Sequence, residues 1–246
     1  MSRHSKTYAL INRLAGKAIH AYHMINDGDR VVVGLSGGKD SMTLLYVLNE
    51  RRRRIPVKYQ LYPVYIDPGF DNSFAEQLKQ ACSSLLGLDL IVEMTNHGPL
   101  AHSEENFHNP CFLCSRLRRK RLFEIARDLG CDTLALGHNK DDIIETLFIN
   151  MLYSGHISAM VPKQGFFKGK FHIIRPLSFV DENTIIRFSA QMGFPVFENE
   201  CPSSKNSKRS EIKDILSKIY AMNPNVKGNI FRSMSQVRGE YLLTEA

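Results

Sequence analysis

A run of mostly β-branched residues, Arg30-Val31-Val32-Val33-Gly34-Leu35, breaks into Ser36-Gly37-Gly38-Lys39-Asp40-Ser41, and an apolar helical pattern resumes over residues 40–53. Few folds accept this order. A continuous valine-rich run suits a strand covered on both faces, the usual condition of a parallel sheet. Two glycines after such a strand let the backbone take positive φ and leave no Cβ in the way of an approaching group. The helix that follows turns unpaired N–H groups and the positive end of its dipole toward the turn. Together these features predict a phosphate-binding corner at the carboxyl end of a parallel strand.

The rest of the chain keeps the alternation. Apolar spacing predicts helices over 6–26, 73–86, 114–129, 140–153, 181–192, 210–221 and 228–237, strands over 59–66, 88–94, 133–136 and 171–175, and a loop over 95–110. Strands alternating with helices at this spacing predict an α/β fold: an open, mostly parallel sheet with helices on both faces. With 246 residues, 43% of them hydrophobic, the chain can bury a sizeable core. It has no uninterrupted apolar run of roughly 18 residues, which excludes a membrane-spanning helix of the usual kind. Met1 to Thr7 is polar and basic with no apolar stretch behind it, so the expected location is the cytoplasm. The polar stretch Glu198 to Ser210 predicts a division into an α/β domain, 1–200, with an N-terminal helix, and a helical basic extension, 201–246. The net charge of +7 favours a polyanionic partner.

In the glycine turn, Ser36 and Ser41 can donate hydroxyls to phosphate oxygens, Lys39 adds a positive charge, and Asp40 fits either a helix cap or a contact to Mg²⁺ bridging the phosphates. The spacing is not G-x-x-x-x-G-K-[ST], which disfavours an ordinary γ-phosphate-hydrolysing NTPase. Gly137-His138-Asn139-Lys140-Asp141-Asp142 follows the fourth expected strand, and the carboxyl ends of parallel strands share one edge. That edge places Gly137 and Asp142 near the nucleotide. Asp67, at the end of the second strand, falls on the same edge, either reaching the adenosine or serving as a turn residue before Pro68-Gly69. The S-G-G-K-D-S turn resembles the PP-loop ATP pyrophosphatase family. The resemblance implies that Ser36, Gly37, Gly38, Lys39 and Ser41 hold pyrophosphate while AMP transiently activates an acceptor oxygen. It also makes Asp142 a candidate acid/base or a metal contact, a choice the residues leave open.

Five cysteines, an odd number with no export signal, argue against a disulfide framework. Cys82 and Cys131 lie among apolar neighbours and read as small buried hydrophobes. Cys111 and Cys114 form a C-x-x-C after Pro110. That pair fits a redox site, half of a zinc site completed by Cys201 with His97, His102 or His108, or, with Cys201, three ligands of an iron–sulfur cluster. The nearby Arg116, Arg118 and Arg119 favour thiolates. The whole series, S-G-G-K-D-S, P-C-x-x-C-x-R-x-R-R, G-H-x-x-D-D-x-x-x-T-L-x-x-N, Arg175-Pro176-Leu177 and a late single cysteine, resembles the tRNA 2-thiocytidine synthetase type over about residues 25–235.

That resemblance implies a [4Fe–4S] cluster on Cys111, Cys114 and Cys201 with one iron open. It implies ATP-dependent replacement of the 2-oxygen of an anticodon-loop cytidine by sulfur. Lys39, Asp142 and the three cysteines would be catalytic. ATP, Mg²⁺, tRNA, a sulfur donor such as a cysteine desulfurase, and a homodimer complete the expectation. Two alternatives remain at this point: another PP-loop adenylating enzyme with a structural metal, and a nucleotide-binding redox sensor. For RNA contact, the run Arg116 to Arg121 beside the C-x-x-C is the first candidate. Lys205, Lys208, Arg209, Lys213, Lys218 and Lys227 of the extension are the second, whereas Arg51 to Arg54 reads as a solvated helix end.

Overall fold

The structure, a computed structural model, describes residues 5–104, 106, 110–197, 201–202 and 208–243. Among these, the strands are β1 (Arg30–Leu35), β2 (Gln60–Asp67), β3 (Ile91–Met94), β4 (Thr133–Leu136), β5 (Lys163–Phe166) and β6 (Phe171–Ile174). The α-helices are α1 (Lys6–Ala21), α2 (Lys39–Arg52), α3 (Ala75–Ala81), α4 (His97–Ala101), α5 (Pro110–Asp128), α6 (Lys140–Ser154), α7 (Glu182–Met192), α8 (Lys208–Met222) and α9 (Val226–Ser233). Contacts within the chain group it into two compact units: Met1–Asn139 with Val161–Ser204, and Lys140–Met160 with Lys205–Ala246.

The first unit is built on the sheet, in the order β3-β2-β1-β4-β6-β5. Every neighbouring pair is parallel except β5 and β6. Residues alternate faces along a strand, and β1 shows it. Val31, Val33 and Leu35 enter one apolar cluster with Ile11 and Ala15 of α1, Leu44 and Leu48 of α2, Leu78 of α3, and Ile185 and Phe188 of α7. Val32 enters the other, with Val64, Ile66, Leu134 and Ile173 of the sheet and Leu122, Ile125 and Ala126 of α5. Helices therefore cover both faces, as the valine run predicts. Each fully buried Val, Leu or Ile contributes roughly 1.5–3 kcal/mol, so this double layer is the main source of stability. Consecutive strands step outward from β1 to β3 on one side, and β4 and β6 lie on the other. The order reverses between β1 and β4, and in open α/β sheets the crevice outside the carboxyl ends at such a reversal is where ligands bind.

Several elements depart from the sequence expectation. α1 ends at Ala21 rather than near 26, and His23 takes a positive φ of 46°. The expected loop over 95–110 holds α4. α5 begins at Pro110, so the C-x-x-C lies within its first five residues; proline has no N–H to lose there and its φ already suits a helix. The edge strand β5, Lys-Gln-Gly-Phe, has no β-branched residue and left no signal. The turn at Cys82–Leu86 widens to a π-helix closed by Gly87 at φ 63°.

The second unit packs α6, α8 and α9 around Ile144, Ile212 and Leu216, with Phe148, Ile219, Phe231 and Met234 against them. The polar stretch from Glu198 to Ser210 spans the third crossing between the units. The first crossing, at Asn139, runs through a motif and has no compositional mark. Among the described residues no helix is long and apolar enough to cross a membrane.

Candidate active site

At the end of β1, Gly37 takes φ 79° and turns the chain back onto α2. A side chain there would meet the Phe74 ring at 2.6 Å, so the turn requires glycine in both conformation and space. Gly38 is the N-cap of α2 and has no side chain to satisfy the first N–H groups, which leaves them for an anion. The two serines tie the turn. Ser41 Oγ donates to the Gly38 carbonyl at 2.9 Å and accepts the Ser36 N–H at 3.2 Å, and Ser36 Oγ lies 3.3 Å from it. Lys39 Nζ stands between two carboxylates, Asp40 at 3.1 Å and Glu182, at the start of α7, at 3.0 Å. Burial works to lower the lysine pKa, but the two carboxylates outweigh it and hold the ammonium above its ordinary value.

The end of β4 abuts this turn. A Cβ on Gly137 would come within 3.0 Å of the Asp40 carbonyl carbon and the Ser41 nitrogen. Asn139, itself buried, donates its amide to Asp40 Oδ1 at 2.9 Å. Asp40 is thus held from both sides, by Lys39 and by Asn139. Asp142 belongs to the second unit. There it accepts from Arg209 Nη1 at 2.8 Å, the same nitrogen that lies 3.3 Å from the buried Glu145, while Asp141 pairs with Lys227.

Asp67 ends β2 and is only 1% exposed. Its carboxylate accepts the Gly69 N–H at 2.8 Å and the Ser73 hydroxyl at 2.5 Å, and it hydrogen-bonds the Tyr65 side chain. Burial, then the Asp67 charge, pushes the Tyr65 phenol far above its ordinary pKa. Arg118, from α5, faces both Tyr65 and Cys114. Burial lowers its pKa against the pull of those two groups. Burial raises the Cys114 thiol; Arg118 opposes this, while Cys201 and Cys111 each raise it further. Cys114 thus lies within electrostatic reach of both other cysteines, so the late cysteine folds back to the early pair. Cys201 Sγ also lies 3.9 Å from His102 Nε2, and His102 Nδ1 lies 2.9 Å from the Gly98 carbonyl. Of the three histidines weighed for a metal, His102 is the one seen against a cysteine; His108 lies outside the described residues. Among the described residues no three His, Cys, Asp or Glu side chains already stand at metal-binding spacing. The donor set still suits an iron–sulfur cluster: Cys114 with the Cys111 and Cys201 thiols in electrostatic reach, two of the three near the start of a helix, and the Arg118 guanidinium facing Cys114. Cys82 and Cys131 are buried in the two core clusters, as expected of small hydrophobes.

The basic runs separate in their uses. Arg51 bonds the Asn12 side chain at 2.8 Å, and Arg53 and Arg54 pair with Glu50. In the second run Arg121 is held by Glu93 and Glu124, whereas Arg116 and Arg119 are exposed. Arg175, of the Arg-Pro-Leu motif, is buried and donates to the Val161 carbonyl at 2.6 Å; burial, with Arg119 adding to it, lowers its pKa to about 10. Glu182, Asn139, Tyr65 and the Phe74–Phe197 pair were not anticipated. Glu182 carries no motif, Asn139 is an unassigned position within G-H-x-x-D-D, and aromatic residues at core spacing look alike whether or not they border a site.

The PP-loop domain family matches residues 10–219 of the chain. The chain is 37% identical over 239 residues to the tRNA-cytidine(32) 2-sulfurtransferase of Geobacter sulfurreducens, covering 96% of this chain and 93% of that protein. It is 39% identical over 232 residues to the enzyme of the same name from Methylobacillus flagellatus, covering 92% and 75%. Among solved structures it is similar to the U34-tRNA thiolase NcsA from Methanococcus maripaludis with its [4Fe–4S] cluster, at 25% identity and a TM-score of 0.77, over 98% of this chain and 81% of that one. The NH₃-dependent NAD synthetase from Campylobacter jejuni shares the fold at 13% identity and a TM-score of 0.50, over 99% of each chain.

Proposed function

We propose a mechanism for this chain, which belongs to the PP-loop family and within it to the tRNA-cytidine(32) 2-sulfurtransferases, ATP-dependent enzymes that thiolate tRNA. In this reading the substrate is cytidine 32 and the first step is adenylation of its C2 oxygen. The observation that carries the proposal is the meeting, in one compact unit, of the glycine turn on β1 and three cysteines gathered around Cys114.

The free N–H groups at the start of α2, the Ser36 and Ser41 hydroxyls and Lys39 hold the β- and γ-phosphates, the part of ATP that leaves as pyrophosphate. Asp40 and Glu182 are the carboxylates available to a Mg²⁺ ion accompanying them. The C2 oxygen of the cytidine attacks the α-phosphorus, the bond to the β-phosphate breaks, and the oxygen becomes part of an AMP leaving group. Without this step it is a poor leaving group. Sulfur at the sulfide level then adds to C2, and AMP departs with the oxygen. Cys111, Cys114 and Cys201 would hold a [4Fe–4S] cluster, which when bound supplies an iron with no protein ligand at which sulfur can be presented. Arg118 offsets the negative charge of the thiolates. Asp67 orders the loop from 67 to 73 beside the nucleotide through its three donors. Asp142 serves the reaction as an acid/base or a metal contact. Arg116, Arg119 and the lysines of α8 and α9 contact the tRNA backbone. A cysteine desulfurase supplies the sulfur as a persulfide, two equivalents of a thiol reductant release it as sulfide with formation of a disulfide, and the working form is a cytoplasmic homodimer.

The test is an anaerobic, iron–sulfur-reconstituted sample incubated with ATP, sulfide and unmodified tRNA, with nucleosides analysed by mass spectrometry. The expected result is 2-thiocytidine with AMP and pyrophosphate in equal amounts. Formation of ADP, or no thiolated nucleoside, overturns the mechanism.

A further inference from the structure

We propose that Phe197 is a positioning residue that couples the phosphate loop to the third cysteine. The inference rests on the reading of Ser36 to Ser41 as the pyrophosphate cradle and of Cys201 as a cluster ligand. The Phe197 N–H donates to the Gly37 carbonyl at 3.1 Å. Its ring stacks on Phe74, with centroids 4.9 Å apart and planes 8° from parallel. The two residues close over the glycine: a Cβ on Gly37 would meet Phe74 Cε2 at 2.6 Å and Phe197 Cβ at 3.1 Å. Phe74 in turn packs on Tyr65, with centroids 5.1 Å apart, and Tyr65 hydrogen-bonds Asp67 and faces Arg118, the neighbour of Cys114. Side-chain contacts thus run from the phosphate loop through Phe74 to Tyr65 and Asp67, Arg118 lies within electrostatic reach of both Tyr65 and Cys114, and every member lies in the first unit.

Chain length makes the link mechanical. Cys201 is four positions after Phe197, and even a fully extended chain spans at most about 14 Å over that distance. Docking Phe197 on Gly37 therefore confines the third thiol to the neighbourhood of the loop. Phosphates seated on the N–H groups after Gly37 fix the same peptide that carries the carbonyl to which Phe197 is bonded. By linkage, if ATP favours the docked Phe197, docking favours ATP by the same factor. The stack is the part a side-chain substitution can remove, since the backbone hydrogen bond survives it.

The experiment uses the metal-free full chain under anaerobic conditions. Alkylation rates of Cys111, Cys114 and Cys201 by N-ethylmaleimide are followed by peptide mass spectrometry, with and without Mg-ATP, and ATP affinity is measured by calorimetry on the same samples. In the wild type, ATP is expected to slow labelling of Cys201 about five-fold or more, the low end of ordinary coupling between sites. Phe197→Ala is expected to bind ATP more weakly and, at saturating ATP, to lose the protection; Phe197→Tyr, which keeps the ring, is expected to retain it. Phe74→Leu removes the stack from the other side and is expected to behave as Phe197→Ala, which covers a misfolded alanine variant. Unchanged protection in Phe197→Ala, or ATP binding in the wild type with no effect on Cys201, overturns the proposal. Failure of the wild type to bind ATP overturns the reading of the phosphate loop instead.

Discussion

Gly137→Ala tests the claim that the end of β4 is pressed against the phosphate loop. The added methyl would stand 3.0 Å from the Asp40 carbonyl carbon, 3.0 Å from the Ser41 nitrogen and 3.1 Å from the Ser41 Cα. All three are backbone atoms of the first turn of α2, so no side-chain rotation relieves the contact; the loop must withdraw by a few tenths of an ångström. Overpacking of this kind costs about 1–3 kcal/mol. The same displacement spoils hydrogen bonds from the loop to phosphate. Losing about 1.5–3 kcal/mol there, the worth of one charge-assisted hydrogen bond, weakens ATP roughly ten- to hundred-fold. Gly34→Ala is the control. Its methyl meets the end of the Leu136 side chain at 2.9 Å, which can rotate away, and it lies inside β1 rather than at the loop. Urea unfolding gives the stability of both variants and calorimetry gives ATP affinity. The expected pattern is lost stability in both and lost ATP affinity in Gly137→Ala alone. Wild-type ATP binding by Gly137→Ala, or an equal loss of affinity in the two variants, refutes the argument.

Three further outcomes follow from the described contacts. The Tyr59 phenol, pushed up to about 12 by burial, donates to the Leu48 carbonyl at 2.8 Å. Its contribution is complete below pH 10 and fades as pH rises toward 12, a loss on the order of 3 kcal/mol over that window. In urea titrations at pH 8–12, Tyr59→Phe should cost about 1 kcal/mol at pH 8 and show a shallower alkaline decline than the wild type. Arg209→Ala removes the cation shared by Asp142, Glu145 and the Thr146 hydroxyl. Because Arg209 is 42% exposed, the expected cost is only about 1–2 kcal/mol, read as faster amide exchange in α6 and α8; unchanged exchange would show that the pairing does not hold the second unit together. Cys201→Ser is expected to lower iron and acid-labile sulfide after reconstitution while ATP affinity stays within about two-fold of the wild type, since the phosphate contacts are elsewhere. Full iron content in that variant removes Cys201 from the ligand set.

The phosphate corner was legible because its signals are local. A Val-rich run, two glycines and a helix start state a backbone path within twelve residues, and the structure follows it from Arg30 to Ser41. The partners of that corner were not legible, because they arrive through tertiary contact. Lys39 meets Glu182 across 143 positions and Asp40 meets Asn139 across 99. The start of α5 was misjudged for a different reason. Pro110 and the cysteines suggested a loop, although proline is favourable in the first turn of a helix. β5 is held by its antiparallel pairing with β6 and by the packing of Phe166 on Phe123, neither of which an intrinsic preference of Lys-Gln-Gly-Phe announces.

The electrostatics around Cys114 bear on how the cysteines come to hold a cluster. Burial raises this thiol, and Cys111 and Cys201 raise it further, so each thiolate formed makes the next harder. Arg118 answers only part of that cost, since its own charge is disfavoured by burial. The polypeptide by itself therefore does not favour the Cys114 thiolate. Iron is the cation that can, and its binding must expel thiol protons. Cluster uptake is then expected to be favoured as pH rises. It also explains why the arginine sits on α5 next to the cysteines rather than in the phosphate loop, where Lys39 already answers Asp40 and Glu182. Lys39 lies at the phosphate loop and Arg118 within electrostatic reach of Cys114, and ring contacts through Phe74 and Tyr65 run from the loop toward Arg118.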